Sequence, residues 1–264
     1  MRKLMISCLY LLLAALIGAC AGENTPGPHG QDTNANRKTQ EQTYAGAPSP
    51  SVPSTSNVAS APRALELHTP DGTSLSIDIH DLPIYEEYLS EQQSPWTEWN
   101  RSTLVNLDLS IPSTGTFALL QYNCGNKACS TLLISISSDG VRTLPMPDGI
   151  FQDTRLSPNQ EQLLLRYADH EGGLVTRHRM FAVDLKRWEF LSPVLTKDAE
   201  ELMEEATWPI RSYEWVNNEQ FKAEIASLSS PSYEAVQSWF EGEQHVTRDV
   251  TVRIEQRRSD EDES

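Results

Sequence analysis

Beyond residue 63 the apolar residues of this chain come in short runs that turn signals interrupt. ALELH (64–68) and LSIDIHD (75–81) alternate apolar and polar residues on either side of PDGT (70–73). TFALLQY (116–122) and STLLISIS (130–137) are short and mainly apolar. A period of two is typical of β-strands, and Pro-Asp-Gly between two such runs is typical of a hairpin turn. We therefore predict a mostly β fold of antiparallel hairpins with one or two short helices.

The same pattern continues along the chain. Further strands are predicted at 104–111, 162–167, 174–185, 220–227 and 246–256. One helix is predicted at 84–93, which Pro95 should end, and another at 196–208, where Thr196 is a suitable N-cap. PSYEAVQSWFEGEQ (231–244) fits either a helix or a strand with an exposed loop, and both assignments stay open.

Two stretches place a polar turn directly before a strand. LSPNQEQLLL (156–165) and WVNNEQFKAEI (215–225) resemble the blade-entry segments of TolB-like and WD-repeat β-propellers. The resemblance implies a partial or small propeller, and the spacing of the strand-turn units, roughly 40–55 residues, suits propeller blades. The Trp-Asp dipeptide of WD repeats is absent, and a β-sandwich built from the same hairpins is the alternative.

The N-terminus has the layout of an export signal. Arg2 and Lys3 precede an apolar run from Leu4 to Ile17, which is shorter than the roughly 20 residues that a transmembrane helix needs. The sequence IGAC (17–20) resembles a bacterial lipobox. The resemblance implies a bacterial lipoprotein that is cleaved before Cys20, with a diacylglyceryl group on its sulfur and usually an acyl chain such as palmitate on its amine. An ordinary cleaved signal with a chance cysteine is the alternative.

These features divide the chain into four parts. A lipoprotein signal peptide is predicted at 1–19. The lipidated Cys20 opens a disordered tether at 20–63, because Pro, Ser, Thr, Asn and Gly there cannot bury enough apolar surface to offset the entropy of ordering. A β-rich extracytoplasmic domain is predicted at 64–256, and an acidic tail at 257–264.

The charge balance narrows the classes of partner. The formal net charge of the 264 residues is −16. Nucleic-acid binding depends on Lys and Arg that neutralise phosphates, so a nucleic-acid partner is excluded. Anionic lipid surfaces would repel the chain as well, and membrane affinity would have to come from the lipid on Cys20.

Two more cysteines lie in YNCGNKACS (122–130). Cys124 and Cys129 are predicted to form a disulfide that stiffens a hairpin tip, because paired cysteines in an exported chain are usually oxidised. A pair of free thiols is the alternative. A structural zinc site would want four ligands, and these are only two.

No motif for nucleophilic hydrolysis, phosphate binding or a cofactor occurs, and no metal site or cofactor is predicted. Asp78 and His80 should share one strand face, which is more typical of a solvated edge than of a metal site. The sequence DHEGG (169–173) is predicted to form a hairpin turn. We therefore assign no catalytic residues.

One aromatic cluster, at Tyr85, Tyr88, Trp96 and Trp99, has two interpretations. Rings next to polar side chains form a candidate binding surface for a glycan or a peptide, whereas rings around a short helix more often fill a core.

These observations favour a non-catalytic binding or scaffold lipoprotein. It would be held by its lipid anchor on the extracytoplasmic face of the cell membrane, or on the outer membrane of a two-membrane cell. Its partner would be a protein or another envelope component. The alternatives are an extracytoplasmic hydrolase that uses carboxylates and a solute-binding lipoprotein, because carboxylate pairs assemble in space without a sequence motif.

Overall fold

The computed structural model describes residues 63–109, 111 and 115–255. Within them the chain forms twelve strands, and every paired strand is antiparallel to its neighbour. The predicted mostly β, antiparallel class with a few short helices is confirmed. The signal peptide, Cys20, nearly all of the tether and the acidic tail lie outside the described residues.

The strands form three sheets in simple meander order. The first pairs β1 (Ala64–His68) with β2 (Ser74–Asp78). The second has seven strands, namely β3 (Thr103–Asn106), β4 (Thr116–Tyr122), β5 (Cys129–Ser137), β6 (Gly140–Leu156), β7 (Gln162–Glu171), β8 (Val175–Asp184) and β9 (Glu189–Phe190). The third joins β10 (Ile210–Trp215), β11 (Gln220–Ala226) and β12 (Thr247–Arg253).

Short helices connect these sheets. They are α1 (Pro83–Ser90), α2 (Pro95–Arg101), α3 (Lys197–Ala199), which continues as a π-helical turn at Glu200–Glu204, and α4 (Tyr233–Glu241). None of the helices in the described part of the chain has the length and hydropathy needed to cross a bilayer.

Strand β6 divides the large sheet into two halves. Its residues 140–149 pair with β5, and its residues 150–156 pair with β7. Gly149 lies at the change of partner, where a β-carbon would stand 3.0 Å from the ring of Tyr167. The absence of a side chain at residue 149 therefore lets β6 pass close to β7 at the point where β6 changes its partner from β5 to β7.

Strands β4 and β5 are buried on both faces. Ala118 and Leu120 belong to a core shared with β1, β2 and α1. Phe117 and Leu119, whose side chains alternate with these, belong to a second core shared with β7 and β8. Successive side chains of a strand point to opposite faces, so one strand serves two cores.

Strands β7 and β8 repeat the arrangement one layer further on. Leu163 and Leu165 pack in the second core, whereas Leu164 packs in a third core with β10, β11, β12 and α3. The domain is therefore built as four layers: the β1–β2 hairpin with α1, the β3–β6 half-sheet, the β6–β9 half-sheet, and the β10–β12 sheet. The described strands close no barrel. The resemblance to propeller blades, and the alternative of a sandwich, stay predictions.

Several element boundaries differ from those predicted. Pro95 does not end α1, which stops at Ser90; it begins α2, because proline suits the first turn of a helix, where no N–H partner is required. The segment 231–244 contains the helix α4, and the Ser232 side chain accepts a hydrogen bond from the Ala235 N–H at its start. The predicted hairpin turn at 169–173 is present but shorter, since residues 169–171 extend β7 and pair with β8, and the turn itself lies at 172–174.

Burial on both faces makes a direct prediction about stability. Leu163→Ala and Leu164→Ala should each lower the free energy of unfolding by about 2–5 kcal/mol, because each leaves a cavity in a different core. Urea denaturation of the full chain measures both. Leu174→Ala is the control, because Leu174 is 60 % exposed and its loss should cost less than about 0.5 kcal/mol. A large loss at only one of the two buried positions would contradict the layered arrangement.

Candidate functional site

The turns of three neighbouring layers meet at one end of the stack, which we call the turn end. They are the β1–β2 turn (69–73), the β3–β4 connection, the β5–β6 turn, the β6–β7 turn (157–161) and the β8–β9 turn (185–188). The Asn218 side chain, in the β10–β11 turn, accepts a hydrogen bond from the Asn159 N–H at 3.0 Å and so joins the fourth layer to this end. Loops held by a rigid sheet are where binding residues most often lie.

Two clefts open at the turn end. One, of about 570 Å³, lies between the β1–β2 turn and the β3–β4 connection. The second, of about 540 Å³, lies between the two halves of the seven-stranded sheet, and we call it the inter-sheet cleft. Both volumes are in the range that holds a small ligand. Ile111 and Phe117 line both clefts.

The inter-sheet cleft has a polar rim over an apolar floor. Ile111, Phe117 and Leu185 are its apolar residues, and all three are buried. Its polar lining residues are Ser135, Ser137, Ser138, Asp139, Arg142, Asn159, Gln160, Glu161 and Lys186. An apolar floor with a few convergent polar groups is the usual composition of a small-ligand site.

Local hydrogen bonds shape the two turns that border the cleft. The Ser157 hydroxyl accepts a hydrogen bond from the Gln162 N–H at 3.0 Å and donates one to the Asn159 side chain at 2.7 Å. The buried Asp184 carboxylate accepts hydrogen bonds from the Lys186 and Arg187 N–H groups at 2.9 Å and 2.8 Å. Side chains that cap their own turns in this way hold the cleft walls in one conformation.

The backbone at the turn end adopts left-handed conformations at residues other than glycine. Gln160 has a φ of 62° and Trp188 a φ of 63°, and Asp108 beside the first cleft has a φ of 44°. This region is sterically unfavourable for a residue as bulky as tryptophan. Such strain is concentrated at functional sites in many proteins, which directs attention to this end of the stack.

The Asp71 carboxylate closes the turn next to the first cleft. The Thr69 hydroxyl donates to it at 2.5 Å, and the N–H and hydroxyl of Thr73 donate as well. These hydrogen bonds hold the pKa of Asp71 below its ordinary value. Because they satisfy the carboxylate within its own turn, Asp71 has a structural role here.

A polar network joins the third and fourth layers. Arg166 donates to the Asp153 carboxylate from Nε at 3.1 Å and from a terminal nitrogen at 2.5 Å, and to the Ile210 carbonyl at 2.9 Å. The Tyr213 hydroxyl donates to the same Asp153 carboxylate at 2.7 Å. Burial and this hydrogen bond raise the pKa of Tyr213. The network fixes β10 against β6 and β7 through hydrogen bonds that converge on the Asp153 carboxylate.

His178 is the histidine of this network. Its Nδ1 accepts a hydrogen bond from the Ile210 N–H at 2.9 Å, which requires the neutral ring. Burial, reinforced by the Arg166 guanidinium, lowers the pKa of His178 to about 4. His178 therefore stays neutral at ordinary pH and serves as a hydrogen-bond acceptor between layers.

The aromatic cluster proposed as a binding surface lies at the helical connection between β2 and β3, and most of it is core. Tyr85 is fully buried and its ring stands 5.3 Å from that of Tyr122, which corrects its assignment to a surface. Burial and the hydrogen bond from its hydroxyl to Glu98 raise the pKa of Tyr88 to about 12. Trp99 is half-buried, and Trp96 is the most exposed of the four at 38 %. The rings therefore fasten α1 and α2 to β4.

The predicted disulfide between Cys124 and Cys129 is present. It closes the loop between β4 and β5. The Gly125 N–H donates to the Ala128 carbonyl at 2.9 Å inside this loop, and Asn123 before it has a φ of 50°. The disulfide therefore stiffens a hairpin tip, as its spacing predicted.

The weak metal candidates do not come together. His80 is not on a strand face with Asp78, because it lies in a short 3₁₀ turn (Ile79–Asp81) that the Asp78 side chain caps. Its Nδ1 is 2.6 Å from the Glu86 carboxylate. No group of three or more His, Cys, Asp or Glu side chains able to hold a metal ion occurs within the described residues.

The residues of the inter-sheet cleft were not singled out from the sequence. Their turns were visible, as Ser138-Asp139-Gly140 and as the polar segment before β7. Nothing in a turn sequence says which other turn it will face, since β6 must first change partners. No protein-family model, curated protein or solved structure matches this chain.

The network around His178 predicts a pH dependence. The folded pKa of about 4 lies below the ordinary value of 6.5, so protonation favours the unfolded chain. The contribution of His178 to stability is complete above pH 6.5 and is lost as the pH falls towards 4, by on the order of 3 kcal/mol. His178→Gln, which keeps an acceptor but does not titrate, should lose less stability over this interval. Urea denaturation at several pH values measures the free energy of unfolding of both proteins. An equal loss of stability in both as the pH falls from 6.5 towards 4 would refute the prediction.

Proposed function

We propose that this chain is a lipid-anchored extracytoplasmic protein whose β-rich domain binds a partner at its turn end and carries out no catalysis. The observation that supports an extracytoplasmic location is the disulfide between Cys124 and Cys129, because disulfides persist in oxidising compartments outside the cytoplasm. The lipobox-like sequence at 17–20 supplies the means of attachment in this proposal.

The layered construction supports the binding role. Strands that are buried on both faces hold the turns of successive layers next to each other, and two clefts lie between those turns. The polar groups in the inter-sheet cleft are positioned by hydrogen bonds in their own turns, which is the preorganisation that a binding site requires. A partner would therefore be met by several turns at once.

The anchor is tested by Cys20→Ala. This variant should leave the membrane fraction for the soluble fraction, because acyl chains at about 0.8 kcal/mol per CH₂ would supply the membrane affinity. Cys8→Ala is the matched control, since it changes a cysteine of the apolar run but leaves Cys20 in place, and it should remain in the membrane fraction. Fractionation and immunoblotting measure both.

Cross-linking in native membranes, with purification by a C-terminal tag and mass spectrometry, tests the binding role in the same strains. One reproducible partner should be recovered with the original chain and with Cys8→Ala, and lost with Cys20→Ala. Retention of Cys20→Ala in the membrane fraction would overturn the anchor, and recovery of no partner from the original chain would count against the binding role.

A further inference from the structure

The inter-sheet cleft contains charges of both signs that do not neutralise one another. Arg142 and Lys186 line it, and so do Asp139 and Glu161. None of the four makes an ion pair within the described part of the chain. The described residues make fourteen other ion-pair contacts, whereas the two cations and two anions around this cleft are available to a ligand.

Arg142 is held in place without a carboxylate. Its guanidinium carbon lies 5.1 Å from the centre of the Trp188 ring, and a terminal nitrogen donates to the Arg187 carbonyl at 3.4 Å. Trp188 is in turn packed against Phe117, with ring centres 6.2 Å apart. A guanidinium stacked on a ring keeps N–H groups in its plane for a carboxylate, which it binds through paired hydrogen bonds.

Glu161 is positioned at the opposite turn. The Asn159 side-chain Nδ2 donates to the Glu161 carboxylate at 3.0 Å, and the Asn159 side-chain Oδ1 accepts from the Glu161 N–H at 3.3 Å. The second oxygen of this carboxylate has no donor among the described residues. A fixed carboxylate of this kind suits an ammonium group, while Phe117 and Leu185 offer an apolar floor below it.

We propose that the inter-sheet cleft binds short peptides with free termini, with Arg142 receiving the carboxylate, Glu161 receiving the ammonium group, and Phe117 and Leu185 contacting an apolar side chain. The proposal deepens the proposed binding function, on which it rests, by naming the ligand class. A volume of about 540 Å³ accommodates a peptide of a few residues.

The charge pattern favours a zwitterion over other ligands. A polyanion would meet Asp139 and Glu161, and a polycation would meet Arg142 and Lys186. A neutral saccharide could bond to the hydroxyl groups but would leave four charged side chains without counter-charges when it displaced their water. A free peptide matches both signs and the apolar floor.

Isothermal titration calorimetry on the purified full-length chain tests the proposal with the dipeptide Ala-Leu. Ala-Leu should bind with a dissociation constant of about 1 mM or below, which is the range that a few charged contacts of this kind support. Its C-terminally amidated form and its N-acetylated form should each bind at least about tenfold more weakly, because each removes one charge-assisted hydrogen bond.

Variants assign each terminus to its residue. Arg142→Gln should weaken Ala-Leu binding at least about tenfold, and amidation should then cause no further loss, because the two changes remove the same contact. Glu161→Gln should show this non-additivity with N-acetylation instead. Arg155→Gln is the matched control, because Arg155 is also exposed and its guanidinium carbon also lies over a ring, 5.6 Å from the centre of Tyr213, but it does not line the cleft.

Three results would overturn the proposal: no binding of Ala-Leu, equal binding of the doubly capped dipeptide, or additive losses from Arg142→Gln and amidation. If N-acetylglucosamine trimer bound in an Arg142-dependent manner and Ala-Leu did not bind, the ligand class would be a glycan, and the peptide proposal would be overturned. Failure here leaves the membrane release of Cys20→Ala and the cross-linked partner unaffected, so the two proposals fail separately.

Discussion

The burial of strands β4, β5, β7 and β8 on both faces is the constraint on which the rest of the structure depends. Alternate residues of one strand fill different cores, as Leu119 and Leu120 do, and Leu163 and Leu164 repeat this one layer further on. Because each strand belongs to two cores, no layer can shift its register without exposing one apolar set to water and driving the other into the wrong core. The hairpin with α1 and the β10–β12 sheet then cover the outer faces.

This constraint explains why the candidate site lies where it does. A flat meander brings every second turn to the same end, but β6 changes its partner from β5 to β7 near Gly149, so the consecutive turns at its two ends border the same cleft. The inter-sheet cleft is the space between two such turns, with Phe117 of one half-sheet and Leu185 beside the other at its floor. The strained backbone at Gln160 and Trp188 persists because the Ser157 hydroxyl and the Asp184 carboxylate accept backbone hydrogen bonds that hold both turns. The side chains that line the inter-sheet cleft would therefore need little rearrangement to bind a ligand.

Sequence patterns predicted the parts that depend on local chemistry. Alternation predicted β1 and β2, a short apolar run predicted β4, and the spacing of Cys124 and Cys129 predicted their disulfide. The sequence patterns did not predict the features whose placement depends on tertiary contacts. The ring-rich sequence around Tyr85 left a surface and a core both open, and the packing of α1 on Tyr122 decides for the core. The sequence could not show that Arg142 and Glu161 line the same cleft, because this placement depends on β6 changing partners near Gly149. The lipobox-like sequence at 17–20 lies outside the described residues, so the lipid anchor on Cys20 stays a prediction.

Hydrogen exchange tests the central claim, which is that shared strands join the layers into one cooperative unit. The amides of Leu119 on β4, Leu133 on β5, Leu164 on β7 and Ala182 on β8 should exchange with a single free energy, equal to that of global unfolding measured in urea. Cores that share strands cannot open separately. If Leu119 and Leu133 exchanged with a clearly lower free energy than Leu164 and Ala182, the half-sheets would be independent, and a cleft fixed between them could not be maintained.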